Sequence, residues 1–219
     1  TERQDQSRPH AAVFDPSGAF VAVADLGTDS VVTYAFDPAT GTLTEASSVQ
    51  AQPGAGPRHI AFNADGTIMY VTNELDATIN VYAYDMATGA IGELLQTVST
   101  VPDPFEGVKS TAEIAIHPSG KFLYNTNRGF EDTVTPEGDA IVAWAINPDD
   151  GTLTLIGHTT DEIGQSWSFD FDDGGANLFA ANYTDSTITQ FAVDPDTGAL
   201  SFTGNRTEVP FPFTIIISD

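Results

Sequence analysis

Residues 53–74 read PGAGPRHIAFNADGTIMYVTNE. A Gly/Pro turn leads into a short apolar run, His59–Phe62. A tight Asn-Ala-Asp-Gly turn follows, then a second strand-like run, Thr67–Thr72, then Asn73 and Glu74. Gly66 supplies the positive φ that such a turn wants, and Asp65 can bond its own backbone. The stretch is therefore a hairpin with unlike ends. One end turns, and the other gathers Arg58, His59 and Glu74.

The pattern recurs. Asp15-Pro16-Ser17-Gly18, Asn63-Ala64-Asp65-Gly66, His117-Pro118-Ser119-Gly120 and Asp172-Asp173-Gly174-Gly175 are four copies of one turn, starting 48, 54 and 55 residues apart. Each is followed ten residues on by Asp25, Asn73, Asn127 or Asn182. An aromatic-bearing strand comes next: Val31–Phe36, Ile79–Tyr84, Ile141–Ile146 and Ile188–Val193. Each ends in a further turn, DPATGTL, DMATGAI, NPDDGTL or DPDTGAL. A period of about 50 residues with four short strands per unit predicts an all-β fold, a β-propeller with one repeat per blade. Fixed spacing and matched turns argue against a β-sandwich. The repeats run over 9–52, 53–101, 102–157 and 158–207 of a single propeller domain, with a closing stretch at 208–219.

Composition sets limits. The chain carries 31 acidic and 7 basic residues, a net charge of −24, and its lysines are Lys109 and Lys121 alone. A phosphate backbone or an anionic membrane surface would be repelled, so neither nucleic acid nor membrane is an expected partner. The acidic shell reads as solubilising, and it points toward an extracellular protein over a cytoplasmic one. With no cysteine there is no disulfide, thiol nucleophile or cysteine metal site. His10, His59, His117 and His158 show no metal spacing, and neither metal nor cofactor is expected. Asn182-Tyr183-Thr184 and Asn205-Arg206-Thr207 match the glycosylation pattern, but Asn182 falls at the repeat position of Asn73 and Asn127 and reads as an inner-face residue.

Two stretches depart from the repeat. Residues 1–9 read as a loop entering the inner strand Ala11–Phe14. Phe130–Gly138 is an insertion in the third repeat, either a pocket-shaping loop or a tolerated surface one. At the end, Val209-Pro210-Phe211-Pro212-Phe213 leads into Thr214–Ser218, which aligns with the inner strand of each repeat. The expectation is one orphan inner strand of a fifth blade. Its companions would come from N-terminal blades outside these residues, in the same protein or a second chain.

Arg8-Pro9-His10 before Phe14-Asp15-Pro16-Ser17-Gly18, then Pro53–His59, Asn73-Glu74-Leu75, Ala112-Glu113-Ile114 and Asn127-Arg128-Gly129, resemble the seven-bladed lactonase propellers. That family holds bacterial 6-phosphogluconolactonases and fungal carboxy-cis,cis-muconate cyclases. The resemblance covers essentially the whole chain and implies seven blades in the full protein. It places the catalytic cluster of the cyclase branch on His10, Arg58, Glu74 and Arg128. Where family members often read Pro-His-Ala-His, this chain has Pro9-His10-Ala11-Ala12 and one imidazole fewer.

Repeat positions support convergence. His10 and Arg58 share one position, as does Trp167; Glu74 and Arg128 share another, as do Leu26 and Tyr183. His59, Asn73, Glu113, Asn127, Trp167 and Tyr183 are the expected substrate-binding wall. The partner would be a small lactone or dicarboxylate. Glu74 or His10 would be the base and the arginines the anion holders. Lactone hydrolysis, muconate cyclisation and a non-catalytic binding propeller fit the same residues, as do Arg58–Glu74 and Arg128–Glu113 ion pairs that merely brace blades.

Overall fold

In the computed structural model, which describes residues 1–130 and 135–218, each repeat is one antiparallel four-stranded sheet with its strands in chain order. The first holds β1 (Pro9–Phe14), β2 (Phe20–Asp25), β3 (Ser30–Asp37) and β4 (Thr42–Gln50). The second holds β5 (Pro57–Phe62), β6 (Ile68–Asn73), β7 (Thr78–Asp85) and β8 (Ala90–Ser99). The third holds β9 (Thr111–Ile116), β10 (Phe122–Asn127), β11 (Ala140–Ile146) and β12 (Leu153–Thr159). The fourth holds β13 (Ser166–Phe171), β14 (Asn177–Asn182), β15 (Thr187–Val193) and β16 (Leu200–Glu208). Four such meanders in succession are the blades of a β-propeller.

The turns that define the repeat are real and alike. The N–H of Gly18, Gly66, Gly120 and Gly175 donates to the carbonyl of residue 15, 63, 117 or 172 at 2.8–3.0 Å. All four glycines have φ between +62° and +71°, where a β-carbon is disfavoured.

At the opposite end each inner hairpin is closed by one further backbone bond. The N–H of Leu26, Glu74, Arg128 and Tyr183 donates to the carbonyl of Arg8, Gly56, Ser110 and Gln165 at 3.2, 2.7, 2.9 and 3.4 Å. Just inside it the register slips. Pro9 pairs with Asp25 but Ala11 with Ala24, and Pro57 pairs with Asn73 but His59 with Thr72. Ser166 pairs with Asn182 but Ser168 with Ala181, and the third sheet slips between Asn125 and Asn127. A bulge leaves one residue unpaired and re-aims its side chain. In three sheets that residue is His10, Arg58 or Trp167.

The chain divides into two compact units, Thr1–Ser99 and Thr100–Asp219, each holding two sheets. In the first, Ala22, Ala24 and Val31 pack with Ile60, Met69, Val71 and Tyr82 between the sheets. In the second, Phe122, Tyr124 and Ile141 pack with Phe169, Leu178 and Phe191. Each fully buried side chain of this kind contributes about 1.5–3 kcal/mol. Polar ties cross between the sheets as well. Thr33 Oγ1 donates to the Gly89 carbonyl at 2.6 Å, and Tyr124 Oη to the Gly198 carbonyl at 2.7 Å.

The two irregular ends differ from expectation. Residues 1–8 are not a bare loop. Glu2–Gln4 forms a 3-10 turn, and the segment is bonded down along the β2–β3 turn. In the closing stretch no strand is formed after Glu208 among the described residues. It lies beside β13, with the Ile215 N–H donating to Ser168 Oγ at 3.4 Å and the Ile217 N–H to Asp170 Oδ2 at 2.8 Å. Side-chain acceptors take the place of a backbone ladder, and Ile216 is 81% exposed. Of the inserted residues, 131–134 lie outside the described residues, and Pro136–Gly138 forms a 3-10 turn.

Candidate functional site

In the first unit the bulge at Arg58 turns a guanidinium into a buried position. Its Nε donates to Glu74 Oε2 at 2.9 Å, and both side chains are only 4% exposed. Its Nη1 lies 3.0 Å from His59 Nε2. A guanidinium can only donate, so His59 Nε2 is the acceptor and the ring proton sits on Nδ1. The other Glu74 oxygen, Oε1, accepts from Arg3 Nη1, a residue the sequence reading passed over. His10, at the equivalent bulge of the first sheet, stacks on His59 with ring centres 5.4 Å apart and planes tilted by 57°.

His10 stands at the exposed edge of β1; partial desolvation, then the positive charge of Arg58 and His59, push its pKa down to about 4, against Glu74 and a backbone bond. At neutral pH His10 is therefore an uncharged imidazole beside a held guanidinium. Its ring can accept a proton, as a weaker base than an ordinary histidine.

Asn73, beneath Glu74, is buried and donates to Thr78 Oγ1 at 2.9 Å, while its Oδ1 meets no donor among the described residues.

In the second unit Arg128 is 2% exposed. Its Cζ lies 4.1 Å from the centre of the Trp167 ring, and Nη2 donates to Ser110 Oγ at 2.7 Å. Trp167 meets Tyr183 edge-on at 6.2 Å and Phe213 at 5.0 Å, and Tyr183 meets Phe211 at 5.5 Å. This is an aromatic wall under a cation. Ser110, Phe211 and Phe213 belong to it and were not singled out from sequence. Phe211 and Phe213 are visible in the Pro-Phe-Pro-Phe lead-in, but there they read as architecture.

The asparagines at the repeat position of the third and fourth sheets act as braces. Asn127 donates to the carbonyls of Thr100 and Glu137 at 2.7 and 3.0 Å. Asn182 donates to the Glu162 carbonyl at 3.0 Å and to Thr189 Oγ1 at 2.9 Å. Glu113 accepts the Ile114 N–H at 3.1 Å. Nearby, burial pushes the Asp139 carboxyl above its usual range, against the bonds it accepts from the Gln165 and Gly129 N–H groups.

Four-stranded antiparallel meanders, with charged or aromatic residues at one end of their inner hairpins, are the blades of a β-propeller. The chain belongs to the family described as Lactonase, 7-bladed beta-propeller, whose model matches residues 1–217. It is 32% identical over 214 residues to a 6-phosphogluconolactonase of Bacillus subtilis, covering 98% of this chain and 58% of that protein. It is 31% identical over 196 residues to a 6-phosphogluconolactonase of Serratia proteamaculans, covering 88% of this chain and 56% of that one. Among solved structures, the periplasmic gluconolactonase of Pseudomonas aeruginosa superposes with a TM-score of 0.87 at 31% identity, covering 97% of this chain and 57% of that one. The chain thus spans a little over half the length of these relatives.

Proposed function

We propose that the protein hydrolyses sugar lactones and that the first-unit cluster of His10, Arg58 and Glu74 carries the reaction. The observation behind this is the neutral His10 imidazole beside a guanidinium gripped from two sides. The similarity to 6-phosphogluconolactonases and to a gluconolactonase supports the substrate class.

Both Glu74 oxygens are engaged by arginines, so His10 is the better-placed base. His10 takes a proton from water, and the hydroxide adds to the lactone carbonyl. Negative charge grows on the carbonyl oxygen, and Arg58, held in place beforehand, stabilises it without reorganising. The ring C–O bond then breaks, and the leaving oxygen recovers the proton from the His10 imidazolium. The product is the open hydroxy acid. Glu74 keeps Arg58 in place, and the arginine anchors the substrate's oxygens in the bidentate manner of its class.

The test is turnover of glucono-δ-lactone above its spontaneous hydrolysis, as a function of pH. A His10 pKa of about 4 places the acid limb of kcat/KM near that value, well below the 6.5 of an ordinary histidine. Lowering pH through this range protonates the base, so activity falls. His10→Asn should reduce kcat by about 10²–10⁴ and remove the limb. Arg58→Ala should cost about 10²–10³. No turnover by the intact protein, or full activity in both variants, overturns the assignment. Turnover of a cis,cis-muconate in place of gluconolactones would assign the cyclase reaction instead.

A further inference from the structure

Arg3 reaches across 71 residues of sequence to the same carboxylate that holds Arg58. The two arginines differ sharply. Arg58 is 4% exposed in its side chain and fixed by Glu74 and His59. Arg3 is 55% exposed and approaches from the solvent side of Glu74.

Its backbone, in contrast, is tied down. The Gln4 amide donates to the Leu26 carbonyl at 3.1 Å and to Asp29 Oδ1 at 2.6 Å. The Arg8 N–H donates to Asp25 Oδ1 at 2.7 Å, and Ser7 Oγ bonds the same carboxylate. The Gln6 carbonyl fills the space a side chain at Gly27 would need. Asp29 also accepts the N–H groups of Gly54 and Gly56, at 2.7 and 2.8 Å, so the strap is joined to the turn that leads into Arg58. A long cationic side chain on a fixed strap, beside a buried ion pair, can change partner without moving the backbone.

We propose that Arg3 determines specificity for anionic lactones by leaving Glu74 and taking the phosphate or carboxylate of the substrate. Two arginines bond one glutamate here, in a chain of net charge −24. His10 adds no charge at neutral pH. The planar fork of an arginine suits a tetrahedral phosphate or a carboxylate equally. This inference rests on the lactonase reading for its substrate and deepens it.

The measurement is the ratio of kcat/KM for 6-phosphoglucono-δ-lactone to that for glucono-δ-lactone, in wild type, Arg3→Ala and Arg3→Lys. Inorganic phosphate binding by calorimetry is followed in parallel. Arg3→Ala should lower the ratio about tenfold or more, mostly through KM for the phosphorylated substrate, and weaken phosphate binding. Arg3→Lys should fall between. Glucuronolactone in place of the phosphorylated substrate separates carboxylate from phosphate recognition. A fall of both activities by the same factor makes Arg3 a brace of Glu74 and overturns the proposal; so does an unchanged ratio. If neither lactone is turned over, the lactonase reading fails alone. Phosphate binding that is then lost in Arg3→Ala still supports Arg3 as the anion contact, and unchanged binding overturns it.

Discussion

Arg58 and Arg128 are both buried guanidiniums at the ends of inner hairpins, and they are satisfied by different chemistry. Around Arg58 the partners are ionic and titratable: Glu74, His59 and, behind it, His10. Arg128 lies under a tryptophan face and donates to a serine hydroxyl. The repeat decides where a side chain stands, and its neighbours in that repeat decide what it can do. A cation over an aromatic face offers shape and a dry surface. A cation clamped to a carboxylate beside a neutral imidazole offers proton transfer. The proposed reaction is therefore placed in the first unit.

The largest break in this comparison comes from Glu74. Replacing it with alanine leaves Arg58 buried beside a hole where its carboxylate was. Breaking a buried pair from one side costs about 3–5 kcal/mol. The exposed Arg3 contact adds little to that figure. Urea unfolding should show a drop in midpoint at constant slope. A shift below about 1 kcal/mol would mean that Arg58 finds other compensation and that the two arginines are not so different.

Arg128→Leu is the matching change in the second unit, where loss of the Trp167 face and the Ser110 bond costs about 2 kcal/mol. Arg→Lys swaps sharpen the contrast, because an ammonium keeps the charge but not the planar fork or the stacked face. Arg128→Lys should keep less than half of the stabilisation lost in Arg128→Leu. Equal stability of Arg128→Lys and wild type would reduce the Trp167 contact to a bystander.

Much of this was legible before any coordinates. Four glycine turns and the residues ten positions after them locate the strands, because a positive-φ glycine and a period-two apolar pattern are local properties. Arg58 and Glu74 could be brought together because both sit at the end of one hairpin opposite its glycine turn, in a repeat seen four times. Arg3 could not, since it lies outside any repeat and its contact spans 71 residues. The bulges were hidden too. One extra residue in a strand leaves no compositional mark, yet it aims His10, Arg58 and Trp167. The closing Ile-Ile-Ile run has the composition of a strand, and beside β13 its N–H groups go to the Ser168 and Asp170 side chains.

Asp25 gives the finest version of the comparison, because it holds the position that is asparagine in the other three repeats. Asn127 and Asn182 use that position to donate to carbonyls. Asp25 only accepts, from the N–H groups of Arg8, Gly27 and Thr28 and from Ser7 Oγ. Burial alone would raise its pKa, but the Ser7 hydroxyl and these three N–H groups outweigh burial and hold it below 3.8. A depressed carboxyl stabilises the fold above its unfolded pKa, and that contribution is lost as pH falls through the folded value. In Asp25→Asn the three N–H groups on Oδ1 keep a carbonyl oxygen, and the Ser7 hydroxyl can rotate to accept from the new amide. What disappears is the charge assistance. The cost near pH 7 is therefore about 1 kcal/mol, the smallest effect in the series. It should shrink toward zero as wild-type Asp25 protonates below 3.8, since the neutral acid and the amide then present similar groups. Urea midpoints of both proteins near neutral pH and in acid measure this. A gap that persists in acid would place the loss in the geometry of the strap, not in its charge.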